Sequence, residues 1–146
     1  MAQYVSTIAN GGKRLKPHIL KEVREPSNDQ DALGNVIEEV TPTVLNTVDM
    51  KPSWIKQVQN GFRKVMQESG GTAYSSFASA DYDPAGKTGT AQAFYDGPLR
   101  KNFDEPVPTI NLTLVGYAPF DNPEVAMAVV VPWAYQSGEH AMNKDI

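Results

Sequence analysis

Apolar residues along this chain recur with two different periods, and each change of period marks the edge of an element. Met1, Tyr4, Val5 and Ile8 fall at i, i+3, i+4 and i+7, the stripe of an amphipathic helix. Asn10-Gly11-Gly12 stops that helix, because glycine accepts the left-handed conformation of a C-cap. The chain starts inside the first turn with no capping residue before it, which reads as a piece of something longer. Leu15 to Val23 follows as a strand, with Pro17 near its start, where a missing amide is tolerated on an edge. A polar loop, Glu25 to Asn35, leads to a short strand, Val36 to Val40, expected to pair back on the first as a hairpin. Thr41 to Lys51, bounded by prolines, reads as irregular.

Ser53 has the look of an N-cap for a helix running to about Ser69. Trp54, Ile55, Val58, Phe62, Val65 and Met66 keep helical spacing, so this helix should lie on a core. Gly70-Gly71 ends it, and a Ser- and Ala-rich connection, Thr72 to Asp83, follows. The turn signal Asp83-Pro84-Ala85-Gly86 then runs into a strand, Lys87 to Tyr95. Gly97 to Pro108 is a polar loop with three prolines, long enough to lie over or beside a groove. Thr109 to Ala118 alternates cleanly, with Ile110, Leu112 and Leu114 on one face and Asn111, Thr113 and Val115 on the other. After the turn Pro119 to Pro123, Val125 to Val131 is apolar on both faces, a pattern expected at the buried centre of a sheet. His140 to Ile146 reads as the first turns of another helix. The expected fold is an antiparallel sheet built from at least the Lys87, Leu112 and Val129 strands, with helices packed against it: an α/β chain of the α+β type.

Composition changes this picture little, but it excludes several functions. With 146 residues the chain can bury the core of one domain. A formal net charge of -4 argues against a nucleic-acid surface, which is expected to be basic. No apolar run approaches membrane-spanning length, and the N-terminus lacks the charged and apolar regions of a signal peptide. The absence of cysteine rules out disulfides, thiolate-bound zinc and a cysteine nucleophile. His18, the only histidine in the first half of the chain, is best taken as a surface or packing residue.

Candidate chemistry concentrates in Lys87-Thr88-Gly89-Thr90. One charge and two hydroxyls flank a glycine, and glycine inside a strand signals close approach to the backbone. Such a strand suits an extended, anionic ligand laid along its edge. Gly86-Lys87-Thr88 ends like a phosphate-binding loop, but Asp81 stands where that motif needs its first glycine, and a strand follows in place of a helix. Ser53-Trp54-Ile55-Lys56 has the S-x-x-K spacing of a serine nucleophile beside a lysine. Capping by Ser53 and a solvent-facing Lys56 explain it better. Asn111-Leu112-Thr113 matches a glycosylation sequon, but in a core strand the match is a chance one.

K-T-G is also one of three motifs of the penicillin-recognising serine acyltransferases, with S-x-x-K and S-x-N. Tyr4 to Leu20, the Gly61-Phe62 helix and Val115-Gly116-Tyr117-Ala118-Pro119 extend the likeness over nearly the whole chain. The chain resembles the C-terminal part of a penicillin-binding protein transpeptidase domain of the monofunctional class B type. That resemblance implies one incomplete domain over residues 1–146, with a partial penicillin-binding and serine β-lactamase-like fold. It implies a parent D,D-transpeptidase that cross-links peptidoglycan stem peptides at the extracytoplasmic face of the bacterial membrane. Acylation by β-lactams is implied with it, and no cofactor or metal. Lys87 would supply positive charge at the cleft, and Thr88 and Thr90 hydroxyls for the substrate carboxylate. Gly89 would let the substrate backbone lie close. The Thr90 amide would serve as an oxyanion-hole donor, an effect worth about 10²–10³ in rate. The serine nucleophile would lie outside this chain, in the remainder of the domain, and the chain alone would be inactive. An open sheet edge would take that remainder or a second copy of the chain. Competing readings are a non-catalytic peptide- or protein-binding module that keeps the fold, and a serine β-lactamase fragment.

Overall fold

The computed structural model describes residues 1–28 and 31–134. Helix α1, Ala2–Ala9, forms where the first apolar stripe predicts it, and Gly11 and Gly12 follow with positive φ of 77° and 99°. Its last carbonyls do not go unpaired. The amide of Gln59, from the next helix, donates to Ile8 O at 2.8 Å and Ala9 O at 3.2 Å, satisfying groups that a helix end leaves open.

The strand expected over Leu15 to Val23 is broken in two. Strand β1, Lys13–Leu15, and β2, Glu22–Arg24, join different partners. Lys16 N still donates to Thr43 O at 2.8 Å, and the ladder ends at Pro17, which has no amide to continue it. β2 pairs antiparallel with β3, Val36–Glu39, the expected hairpin. β1 pairs instead with β4, Val44–Thr47, inside the stretch read as irregular. Part of that pairing is polar: Arg14 Nε donates to Asn46 Oδ1 at 2.7 Å.

Helix α2, Pro52–Gln67, starts two residues before the position expected from Ser53 as N-cap. Lys51 is its N-cap, Pro52 takes the first helical position, and Ser53 makes no capping bond. Only the C-terminal half lies on the core. Met66 is buried and Phe62 and Val65 are half-buried, whereas Trp54 and Val58 are exposed. The connection after it contains one helical turn, α3, Tyr74–Phe77.

Strands β5, Ala85–Phe94, β6, Pro108–Ala118, and β7, Val125–Ala134, form an antiparallel sheet in that order. Among the described residues β6 is therefore the central strand, and β7, expected at the buried centre, is an end strand. Val125, Met127, Val130 and Val131 are exposed. An apolar run records what a strand packs against, and it does not specify which neighbour it pairs with. Side chains alternate across the sheet. On one face Ala85 and Tyr117 pack with Val5 and Ala9 of α1. On the other, Leu114 packs with Met66 of α2 and with Ala73. Gly86 and Gly116 are paired across β5 and β6, and a Cβ at Gly86 would strike the Met66 methyl and the Val115 carbonyl. The bare backbone there lets α2 press onto the sheet. The second face also carries an apolar groove of about 680 Å³, lined by Phe77, Tyr82, Leu114, Val125, Met127 and Val129. The helix read over His140 to Ile146 lies outside the described residues.

Candidate active site

The candidate strand departs from a fixed turn. Asp83 adopts φ 41°, a left-handed conformation that aspartate tolerates better than most residues. Its carbonyl accepts Phe120 N at 2.9 Å, and its carboxylate pairs with Arg63 Nε at 3.0 Å. From Ala85 to Phe94 the register with β6 runs without a shift.

That register gives the direction of each backbone group. In an antiparallel ladder, successive residues turn their N–H and C=O to opposite edges. Tyr95 N donates to Val107 O at 2.9 Å, on the β6 side. Counting back through the unshifted ladder, Lys87 and Gly89 also point their backbone at β6. Thr88 and Thr90 turn theirs to the outer edge of the sheet. The motif thus sits on an end strand with two of its four backbone units directed outward.

The side chains divide in the same way. Lys87 leaves the strand on the α1 face, is exposed, and doubles back so that Nζ donates to Thr88 O at 2.6 Å. Thr88 lies on the other face, where its Oγ1 is 2.7 Å from Thr72 Oγ1. Gly89 stands opposite Thr113, and a Cβ there would run into Thr113 Oγ1. The sheet itself therefore crowds this position, a constraint additional to the close approach of a ligand expected from the sequence. Beside the edge, Lys87, Lys64, Glu68, Thr72 and the Gly70-Gly71 turn line a cavity of about 320 Å³. Lys64 and Glu68 face each other at 3.5 Å across one helical turn, both well exposed.

The other candidates lie elsewhere. Ser53 is at the far end of α2, about 20 Å along the axis from the turn that carries Thr72, at 1.5 Å per residue. Lys56 Nζ sits 4.5 Å from the Phe120 ring centroid, a cation–π contact that occupies it away from Ser53. His18 is exposed, with Nδ1 2.7 Å from Leu20 O. Asn111 accepts Trp133 N through Oδ1 at 3.0 Å, across an irregularity in the β6–β7 register. The loop between β5 and β6 is organised around Tyr95. Its hydroxyl accepts Leu99 N at 3.1 Å, and its ring meets Phe103 and Trp133 edge-on at 6.1 and 5.5 Å.

Two residues were not marked by the sequence. Thr72 looked like part of a connection, and no spacing rule singles out a threonine after Gly-Gly. Tyr117 carries a hydroxyl that is buried without a hydrogen-bond partner. Burial, and then the nearby charges of Asp121 and Asp83, push its pKa up to about 12. Among the described residues, no group of His, Asp and Glu is placed to hold a metal ion.

Comparison with known proteins bears on the family and the fold. The family model described as penicillin binding protein transpeptidase domain matches residues 1–146. Penicillin-binding protein 2A of Bacillus subtilis (strain 168) is 58% identical over 135 residues, 92% of this chain and 18% of that protein. The peptidoglycan D,D-transpeptidase MrdA of Haemophilus influenzae is 29% identical over 143 residues, 90% of this chain and 20% of that protein. The structure of penicillin-binding protein 2B of Streptococcus pneumoniae (strain R6) superposes with a TM-score of 0.71 at 36% identity, covering 91% of this chain and 20% of that one. The chain thus spans about a fifth of the length of these relatives. Matched along its whole length, and with the fold of the solved relative, the chain belongs to the penicillin-binding protein transpeptidase family, in its class B branch.

Proposed function

We propose that this chain forms one wall of the active site of a peptidoglycan D,D-transpeptidase, in the C-terminal part of its transpeptidase domain. The observation that carries this reading is the outward turn of Thr88 and Thr90 on an end strand, within the Lys87-Thr88-Gly89-Thr90 motif. An extended peptide ending in D-Ala-D-Ala, or the β-lactam that mimics it, adds to that edge by strand augmentation. Lys87 supplies positive charge, which draws the terminal carboxylate and supports proton transfer at the reacting centre. Thr88 and Thr90 offer hydroxyls to the carboxylate. The Thr90 amide, turned to the same edge, is one oxyanion donor, and the amide of the attacking serine is the other.

That serine belongs to the remainder of the domain, because Ser53 is remote from the strand and Lys56 is engaged with Phe120. It attacks the D-Ala-D-Ala carbonyl, D-Ala leaves, and an amine of a neighbouring stem peptide takes the acyl group. The remainder of the domain also has the apolar outer side of β7 and the adjoining groove to cover. Cell-wall cross-linking places the site at the extracytoplasmic face of the membrane. None of the described helices is long and apolar enough to cross a membrane.

Labelling with a fluorescent penicillin tests the reading. The complete protein should form a covalent adduct, and this chain alone should form none. Lys87→Ala should slow adduct formation in the complete protein by at least about 10²-fold, the usual share of a group in proton transfer. Near-normal labelling of that variant would remove Lys87 from the site, and a stable adduct on Ser53 would relocate the nucleophile.

A further inference from the structure

We propose that Thr72 is a positioning residue for the substrate carboxylate, acting through the hydroxyl of Thr88; the proposal rests on the transpeptidase reading above. The two Oγ1 atoms are 2.7 Å apart, the usual length of an O–H···O bond. One hydroxyl of the pair donates and the other accepts. A carboxylate can only accept. When it sits on Thr88, the single Thr88 proton must turn to it, leaving Thr88 Oγ1 with lone pairs alone. Thr72 then donates to Thr88. The result is a chain from Thr72 O–H through Thr88 O–H to the carboxylate, in which each bond polarises the next.

The backbone is built to hold Thr72 in this place. Gly70 has φ 91°, and a Cβ on Gly71 would run into the carbonyls of Lys64 and Val65, so the turn leaving α2 needs both glycines. Gly71 N donates to Glu68 O at 2.9 Å and Ala73 N to Val65 O at 3.1 Å, which ties the residues on either side of Thr72 to α2. Ala73 is buried at 5% exposure, so the segment cannot swing away without opening the core. Charge at the site also suits an anion. Lys87 and Lys64 line the same cavity as Thr72, and the one carboxylate there, Glu68, faces Lys64.

The test compares acylation rates in the complete protein for a penicillin and for its carboxyl ester. Thr72→Val should slow reaction with the free acid about five-fold, the share of one hydrogen bond, and leave the ester rate unchanged. Thr72→Ser should retain the wild-type rate with the acid. In a Thr88→Val background, Thr72→Val should add no further loss, because the two hydroxyls act as a unit. If valine lowers the yield of folded protein, Thr72→Ala carries the same comparison. Equal slowing of acid and ester, an undiminished rate with the acid, or additive losses in the double variant would overturn the proposal. A wild-type protein that penicillin does not acylate would instead overturn the transpeptidase reading, before any substitution is made.

Discussion

Gly89→Ala tests which neighbour requires a glycine in the middle of the motif. The new Cβ meets the hydroxyl of Thr113, its partner across β5 and β6. Thr113 is β-branched, so turning its side chain aside costs about 0.5–1.5 kcal/mol in rotamer energy. Prising the strands apart instead is an overpacking change of about 1–3 kcal/mol. Against this, alanine in a strand gains about 0.5–1 kcal/mol over glycine through the unfolded chain. The net expectation runs from about zero, if Thr113 turns aside, to a loss of about 2 kcal/mol, if the strands part, read as a lower urea midpoint at unchanged m-value. Thr113→Ala removes the obstructing hydroxyl and methyl, and Gly89→Ala in that background should cost nothing or stabilise slightly. Penicillin acylation supplies the second readout. If the double variant regains stability and remains slow, a ligand also approaches Gly89 closely; if it regains both, Thr113 accounts for the glycine. A gain of about 0.5–1 kcal/mol in the Gly89→Ala single variant, the whole unfolded-chain term with no steric cost against it, would refute the steric argument, as would a cost that Thr113→Ala leaves in place.

Two further outcomes follow from the core. Tyr117 has a folded pKa raised to about 12, above its ordinary value of 10.0, so the unfolded chain loses this proton first as pH rises. Stability should therefore be fully present below pH 10 and fall between about pH 10 and 12, by roughly 2–3 kcal/mol in all. Urea unfolding across that range measures it, and Tyr117→Phe should flatten the slope while leaving stability at pH 7 unchanged or slightly higher, since the hydroxyl has no partner. Leu112 is 2% exposed in the central strand, and Leu112→Ala should cost about 2–5 kcal/mol in the same assay. A loss under 1 kcal/mol would mean that the sheet closes over the cavity.

The parts of the fold legible in the sequence are those where one physical signal dominates. Helix α1 has a four-point apolar stripe and a double-glycine stop, and β6 has strict alternation, so both form where expected. β4 escaped because Val44 and Leu45 are adjacent and its other two residues are polar, leaving no period to read. The split of β1 from β2 turned on one missing amide at Pro17, whose effect depends on which partner strand arrives. β7 was misplaced because pairing order is a long-range property that composition does not carry. At the site, Lys87 to Thr90 were legible as residue types following a turn signal. Thr72 was not, since its significance comes from a glycine turn folding it back against a strand 16 residues later.

The fixed turn at Asp83 has a consequence for how this chain tolerates changes in length. Residues 78–82 precede the anchor, so one residue more or fewer there can be absorbed by the connection. Between Asp83 and Lys87 the same change would act on a ladder whose far end is held at Tyr95. Each motif residue would move by one place, exchanging faces and exchanging inward for outward backbone groups. The lysine would then take the threonine's position, and the whole reading frame of the edge would be inverted. Insertions useful for tagging or grafting therefore belong before Asp83, and the four residues after it set the phase of the site.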